Sequence, residues 1–235
     1  MIRLAVLLWA LVAGGAAQAA CRQALALALD VSGSVDAREY RQQLDGLALA
    51  LDAGSVRQAL MQQPQAPVAL AVYEWSGPQD TTLLVPWTVV TSEAVLDGII
   101  ATLRGTVRVP RSPGTGLGSA MLYGAALLEQ ADCAQRTLDI SGDGRSNLGP
   151  RPRDVKHQLA GSGITVNALV IGEDAPATGD DRQSGIGPLS SYFRAEVIFG
   201  PDSFVETALG FDSYAEAMQR KLERELLTLV IGRLE

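Results

Sequence analysis

The chain has 235 residues, 47% of them hydrophobic, and a formal net charge of −7. That length and apolar content suit one sizeable core rather than two domains, and the acidic balance argues against nucleic acid and anionic membranes as partners. With two cysteines and a single histidine, a metal cluster built on thiolates or imidazoles is also excluded.

The chain opens with Met1-Ile2-Arg3, an apolar run from Leu4 to Val12 and the small-residue stretch "AGGAAQAA". This is the layout of a secretory signal peptide. The run falls short of the roughly 20 residues that cross a bilayer, and Ala17-Gln18-Ala19 carries small residues at the spacing that signal peptidase reads. Cleavage is expected after Ala19 or Ala20, so that residues 1–20 are removed and residues 21–235 form one periplasmic or secreted domain, a monomer. The longest later apolar candidate is Leu226 to Ile231, so no membrane insertion is expected once the signal is gone. In such a compartment Cys21 and Cys133 suit a disulfide. Lipidation of Cys21 is the alternative, although Gln18 stands where lipoprotein signals usually carry an aliphatic residue.

Strand-like and helix-like segments then alternate, which predicts an α/β fold around a mostly parallel sheet. A first strand is expected over Ala24 to Leu29, short, apolar and stopped by Asp30. A helix follows, opened by Asp36 and Glu39 as a capping box, with Tyr40, Leu44, Leu47 and Leu51 on one stripe. Val68 to Trp75 and Thr82 to Val90 read as strands, and the short loop "SGPQD" between them requires an antiparallel hairpin. Helices are expected over Ser92 to Arg104 and Leu117 to Ala131, separated by "GTVRVPRSPGTG". The strand "RTLDIS" ends in the turn "GDGRSN"; a weaker helix over Arg153 to Ala160 precedes the strand "ITVNALVIG". Residues Glu173 to Gly187 have no periodicity and read as a long acidic loop around Asp180 and Asp181. A short helix near Leu189 to Arg194, a strand within Val197 to Ala208 and a long last helix close the chain. Phe211, Tyr214, Met218, Leu222 and Leu229 are expected to dock that helix on the sheet.

In an open parallel sheet, ligands bind beyond the carboxyl ends of the strands, where strand order reverses. Three polar clusters fall at such positions: Asp30-Val-Ser32-Gly-Ser34, Gly114-Thr115-Gly116 and Ser141-Gly-Asp143-Gly144. They offer carboxylates and hydroxyls only, a donor set for a hard cation such as Mg²⁺, with Mn²⁺ or Ca²⁺ as alternatives. If the hydroxyls bind directly and the aspartates partly through water, the cation keeps enough electrophilicity to accept a carboxylate from outside.

This pattern resembles the metal-ion-dependent adhesion site of von Willebrand factor type A (vWA) domains. Asp30, Ser32 and Ser34 match its aspartate-serine-serine loop, Thr115 its lone threonine and Asp143 its distant aspartate. The stretches "EWSG" at Glu74, "VPWT" at Val85, "SGDGRSN" at Ser141 and "GITVNAL" at Gly163 are similar to a bacterial family of exported vWA-like proteins classed as a domain of unknown function. The resemblance covers nearly all of residues 21–235. It implies a doubly wound, mostly parallel six-stranded sheet with one antiparallel edge strand and helices on both faces. It also places the first strand beside the one ending at Ser141, with both cysteines at the amino ends of those strands, which is compatible with a bridge.

Other features have plainer readings. "DISGDG" opens like a calcium loop, but Pro150 stands where its last acidic ligand belongs. "GTGLGSA" has Ser119 in place of the third glycine of a dinucleotide fingerprint, and no strand clearly precedes it. His157 is expected on a solvated helix face, and Trp75 and Trp87 to pack on the hairpin and the sheet edge; Trp75 standing on the rim beside the metal is the alternative. The resulting expectation is a metal-dependent protein-binding module, not an enzyme, whose partner presents a carboxylate. A metal-dependent hydrolase and an assembly factor for another exported protein are the alternatives, the former lacking a nearby histidine or a G-x-S-x-G elbow.

Overall fold

The computed structural model describes residues 21–172 and 185–231, with side chains up to residue 226. The expected signal peptide and the acidic loop at Asp180 and Asp181 lie outside the described residues, as does the side chain of Leu229. The order of elements is β1 (Cys21–Asp30), α1 (Ala37–Asp52), α2 (Gly54–Met61), β2 (Val68–Trp75), β3 (Thr81–Val89), α3 (Glu93–Gly105), α4 (Leu117–Glu129), β4 (Cys133–Gly142), α5 (Pro152–Leu159), β5 (Ile164–Gly172), α6 (Ile186–Glu196), β6 (Val205–Leu209) and α7 (Tyr214–Ile231), with a 3₁₀ turn at Phe211–Ser213 before α7.

The strands form one sheet of order β3-β2-β1-β4-β5-β6. Among the described strand pairs only β2–β3, a hairpin, is antiparallel. Its outer strand, β3, accommodates Pro86, whose missing N–H an edge strand tolerates. The strand order turns back between β1 and β4, so a crevice opens beyond Asp30 and Gly142, where such sheets bind ligands.

Alternation along β1 sorts the two faces. Leu25, Leu27 and Leu29 point into one apolar cluster with α1, α2, α3 and α7, and Ala24, Ala26 and Ala28 into a second with α4, α5 and α6. Methyl side chains on the second face let α4 lie close, and Gly124 of that helix has the Tyr73 hydroxyl within 2.6 Å of where a Cβ would sit. The strand is longer than the expected Ala24 to Leu29 because pairing with β4 begins at Cys21, opposite Cys133. These two cysteines form a disulfide with Cα atoms 4.6 Å apart. In the chain-entropy picture a loop of this size contributes about 4–5 kcal/mol.

Asp36 caps α1 as expected, accepting from the Arg38 and Glu39 amides while the Glu39 carboxylate accepts from the Asp36 amide. α2 has no clear signal in the sequence. Its apolar residues Val56, Ala59 and Leu60 have helical spacing and dock on the first face, but eight residues carry too little periodicity to stand out. The strand expected within Val197 to Ala208 occupies Val205–Leu209. Trp75 is buried in the second apolar cluster rather than standing on the rim, and Trp87 is half-buried, its indole N–H donating to the Leu127 carbonyl at 3.0 Å.

Candidate metal centre

At the carboxyl end of β1 the chain leaves the sheet at Asp30 and folds back on itself. The Val31 amide continues the ladder to the Trp75 carbonyl at 2.9 Å, and the Ser32 amide donates to Asp30 Oδ1 at 2.8 Å, closing a tight polar turn. Gln43 of α1 reaches under this turn to donate to the Asp30 carbonyl at 2.9 Å. Gly33 then passes against the loop before α4, its amide donating to the Pro113 carbonyl at 3.0 Å. A Cβ at this position would lie 2.9 Å from both Pro113 Cβ and its carbonyl oxygen, so only glycine fits without displacement.

The hydroxyls of Ser32 and Ser34 are 3.2 Å apart, and Ser34 Oγ donates to Asp143 Oδ1 at 2.6 Å. Ser32, Ser34 and Asp143 are therefore in one connected group, with Asp30 held by the Ser32 amide. Thr115 joins them through the backbone. Its amide donates to Asn147 Oδ1 at 2.9 Å, while its carbonyl accepts from the Asn147 and Leu148 amides and from Ser146 Oγ at 3.0, 3.3 and 3.2 Å. The loop that follows Asp143 thus grips Thr115, and the loop before Thr115 grips Gly33. Gly116 completes the lacing: its amide donates to the Ser76 carbonyl at 2.6 Å, and a Cβ there would meet the Ser76–Gly77 backbone at 2.9 Å. Gly116 of "GTG" thus serves close backbone packing, whereas Gly114 leaves room for the Leu148 side chain, whose Cδ1 would lie 2.0 Å from a Cβ there.

The electrostatics are unbalanced. Asp30, Ser32, Thr115 and Asp143 are buried, and among the described residues no lysine or arginine forms an ion pair with either aspartate. Burial drives the Asp30 carboxyl well above its usual range, and the charge of Asp143 adds to the effect. Burial likewise pushes Asp143 up to about 6, against the hydrogen bond from Ser34 and with the charge of Glu39 assisting. Asp30 Oδ2 and Asp143 Oδ2 are buried with no hydrogen-bond partner. Two unpartnered carboxylate oxygens beside three hydroxyl-bearing residues, with no internal cation, make a donor set that fits a hard divalent ion. Among the described residues no three His, Cys, Asp or Glu side chains are grouped to hold a metal.

Sequence reasoning missed Asn147 and Gln43, which position the ligand loops without belonging to the ligand pattern. It also missed a second polar group on the first face of the sheet. Lys221 of α7, fully buried, places its ammonium 2.8 Å from Asp139 Oδ1 and 2.6 Å from Glu225 Oε1, and Asn167 Nδ2 donates to the same Glu225 oxygen at 2.6 Å. The alternation Thr137, Asp139, Ser141 in "RTLDIS" was the available signal, since three polar residues at period 2 share one face.

A family model described as "Protein of unknown function (DUF1194)" matches residues 20–230. The chain belongs to that family. A comparison with curated proteins finds no match. Among solved structures, proximal thread matrix protein 1 from the mussel byssus, described with a zinc-occupied MIDAS motif, aligns with a TM-score of 0.64 at 18% identity over 88% of this chain and 48% of that one. A von Willebrand factor type A protein from Catenulispora acidiphila aligns at 0.60 with 15% identity over 88% and 43% of the two chains. BatB from Bacteroides thetaiotaomicron aligns at 0.58 with 13% identity over 88% and 98%. The chain spans less than half the length of the first two. These likenesses establish the fold: this DUF1194 member is a vWA-like domain, as its sequence resemblance implied.

Proposed function

We propose that this DUF1194 chain is an exported protein-binding module that captures an acidic side chain of a partner through a divalent ion. Ser32, Ser34 and Thr115 would hold the ion through their hydroxyls, with Asp30 and Asp143 binding it directly or through water. Mg²⁺ is the favoured ion, Mn²⁺ or Ca²⁺ being alternatives. When bound, the ion supplies a positive centre with a position open to a carboxylate oxygen from outside. The protein's own contribution is to orient the oxygen donors and keep the carboxylates out of bulk water, which strengthens their pull on a cation. The observation that carries this reading is the pair of buried aspartates with an unpartnered oxygen each and, among the described residues, no countercharge in ion-pair contact.

Two further features support a macromolecular partner. Val107 and Val109, in the loop before Thr115, and Leu148, in the loop after Asp143, are 79%, 56% and 45% exposed. Arg108, between the two valines, is pinned to the Val35 carbonyl, so these apolar side chains border the candidate centre. Export is supported by the signal-like N-terminus and by the disulfide, and no described helix is long and apolar enough to cross a membrane. A catalytic role is not proposed, because the single histidine, His157, is exposed on α5 and forms no part of the centre.

The test is affinity capture from a periplasmic extract with the immobilised chain in Mg²⁺ and in EDTA. A protein retained only in Mg²⁺, and lost with Asp30→Ala, is the expected result. Capture that is the same in both buffers and unchanged by the substitution overturns the mechanism.

A further inference from the structure

The stretch "EWSG" at Glu74 to Gly77 closes β2 and supplies none of the candidate donors, yet each of its residues meets a segment that carries them. The Trp75 carbonyl accepts from the Val31 amide and the Ser76 carbonyl from the Gly116 amide, and a Cβ on Gly77 would lie 2.8 Å from Ser112 Oγ. Glu74 makes the remaining contact. Its side chain, on the first face of the sheet and in a residue only 2% exposed, accepts from the Tyr40 hydroxyl of α1 on Oε1 and lies 3.4 Å from an Arg111 nitrogen on Oε2.

Arg111 belongs to the segment from Thr106 to Gly116, which has no helix or strand of its own and contains Thr115. Such a segment keeps its shape through contacts made outside it. Arg108 reaches the Val35 carbonyl and lies 5.6 Å from the centre of the Tyr40 ring, the Ser112 amide donates to Asp80 Oδ2 at 3.1 Å, and the Pro113 carbonyl accepts from Gly33. Arg111 adds an ion pair to this set. Among the described residues Glu74 is its only ion-pair partner, and the Arg111 Nε is buried without a hydrogen bond. Were the segment to swing off the sheet, Glu74 would remain as a buried carboxylate with a tyrosine hydroxyl for company, a costly state. The pair therefore draws the segment inward.

We infer that Glu74 is a positioning residue for the metal centre: through Arg111 it holds the segment from Thr106 to Gly116 so that the Thr115 hydroxyl is presented to the ion beside those of Ser32 and Ser34. This role rests on the metal-binding reading above, and Glu74 itself does not touch the ion.

Calorimetric titration of the whole chain with Mg²⁺, at a temperature where every variant is folded, provides the test. Glu74→Gln keeps an acceptor for Tyr40 but releases Arg111, and is expected to weaken Mg²⁺ binding about tenfold, as loss of a group that orients a metal ligand does. Arg111→Met should do the same, and the double variant should bind no more weakly than the weaker single one, because both act through one contact. If Arg111→Met strands the Glu74 charge and fails to fold, the double variant, which removes both charges, decides. In EDTA, where no ion contributes, amide exchange in Glu74→Gln should quicken about tenfold at Thr115 and Gly116 and less at Ala168 of β5, a difference that loss of global stability alone does not produce. Unchanged Mg²⁺ affinity in Glu74→Gln and the double variant, or exchange that quickens equally at all three amides, overturns the positioning role alone. A parent chain that takes up no Mg²⁺ overturns the metal-binding reading and the positioning role with it.

Discussion

β4 and the turn that follows it carry two buried aspartates four residues apart, Asp139 and Asp143, each in a pair of carboxylates, and the two pairs are balanced in opposite ways. Asp139 and Glu225 share Lys221, a cation supplied from α7 and shut away from solvent. Asp143 and Asp30 have hydroxyls and backbone amides around them but no lysine or arginine in ion-pair contact among the described residues. A buried carboxylate without a countercharge costs several kcal/mol unless it is protonated or paired. The first pair is a built-in part of the helix-to-sheet packing. The second has no such partner among the described residues, an imbalance that the proposed metal ion would relieve.

The sharpest break of this contrast is to remove the cation from the first pair. Lys221→Met leaves Asp139 and Glu225 buried together and should cost about 3–5 kcal/mol in urea unfolding. Asp30→Asn at the other pair should leave the chain in EDTA as stable as the parent or more so, because it removes charge that nothing neutralises. A large loss there would mean that Asp30 is chiefly a structural acceptor. Next in size, Mg²⁺ at a hundredfold excess over its dissociation constant should stabilise the parent by about 2.7 kcal/mol and leave Asp143→Ala unchanged. Thermal melts with and without EDTA measure this directly.

The pH response sharpens the contrast further. Burial raises Asp139 to about 7, with Lys221 opposing and Glu225 assisting. A carboxyl raised in the folded state holds its proton where the unfolded chain, with an ordinary value of about 4, has released it. The stabilisation is therefore complete below about pH 4 and declines as the pH rises toward 7, by at most about 1.4 kcal/mol per unit. Asp139→Asn should remove this decline, so that parent and variant diverge across the window, by at most about 4 kcal/mol. Parallel curves for the two proteins would show that Lys221 keeps Asp139 ionised throughout. Smallest, Tyr214→Phe removes the contact of 3.2 Å between the Tyr214 and Ser141 hydroxyls, midway between the pairs, and should cost about 1 kcal/mol without altering Mg²⁺ binding.

The fold was legible because its signals are local. Alternating Leu and Ala in β1, the five-residue hairpin loop and the Asp36–Glu39 box each specify an element from neighbouring residues alone. The ligand loops were legible for a related reason, since strand ends followed by Ser and Asp mark the sheet's carboxyl edge. What stayed hidden depends on partners far apart in sequence. Lys221 and Glu225 read as the polar side of an amphipathic helix, and only the docking of α7 over β4 shows them to be interior. Asn167 in "ITVNALVIG" gave a hint, a lone amide in a run of apolar residues. Its meaning required Glu225 and the Phe204 amide, 58 and 37 residues away.

The bridge between Cys21 and Cys133 fastens the two central strands at one extremity, while the loops that lead from the other extremity present Ser32, Ser34 and Asp143. A partner tugging on that rim would load two parallel neighbours lengthwise and in the same sense, so their cross-links would be sheared together rather than unzipped one by one. Neither strand could then be drawn past the other without breaking a covalent bond, a geometry that would let the proposed capture withstand mechanical tension.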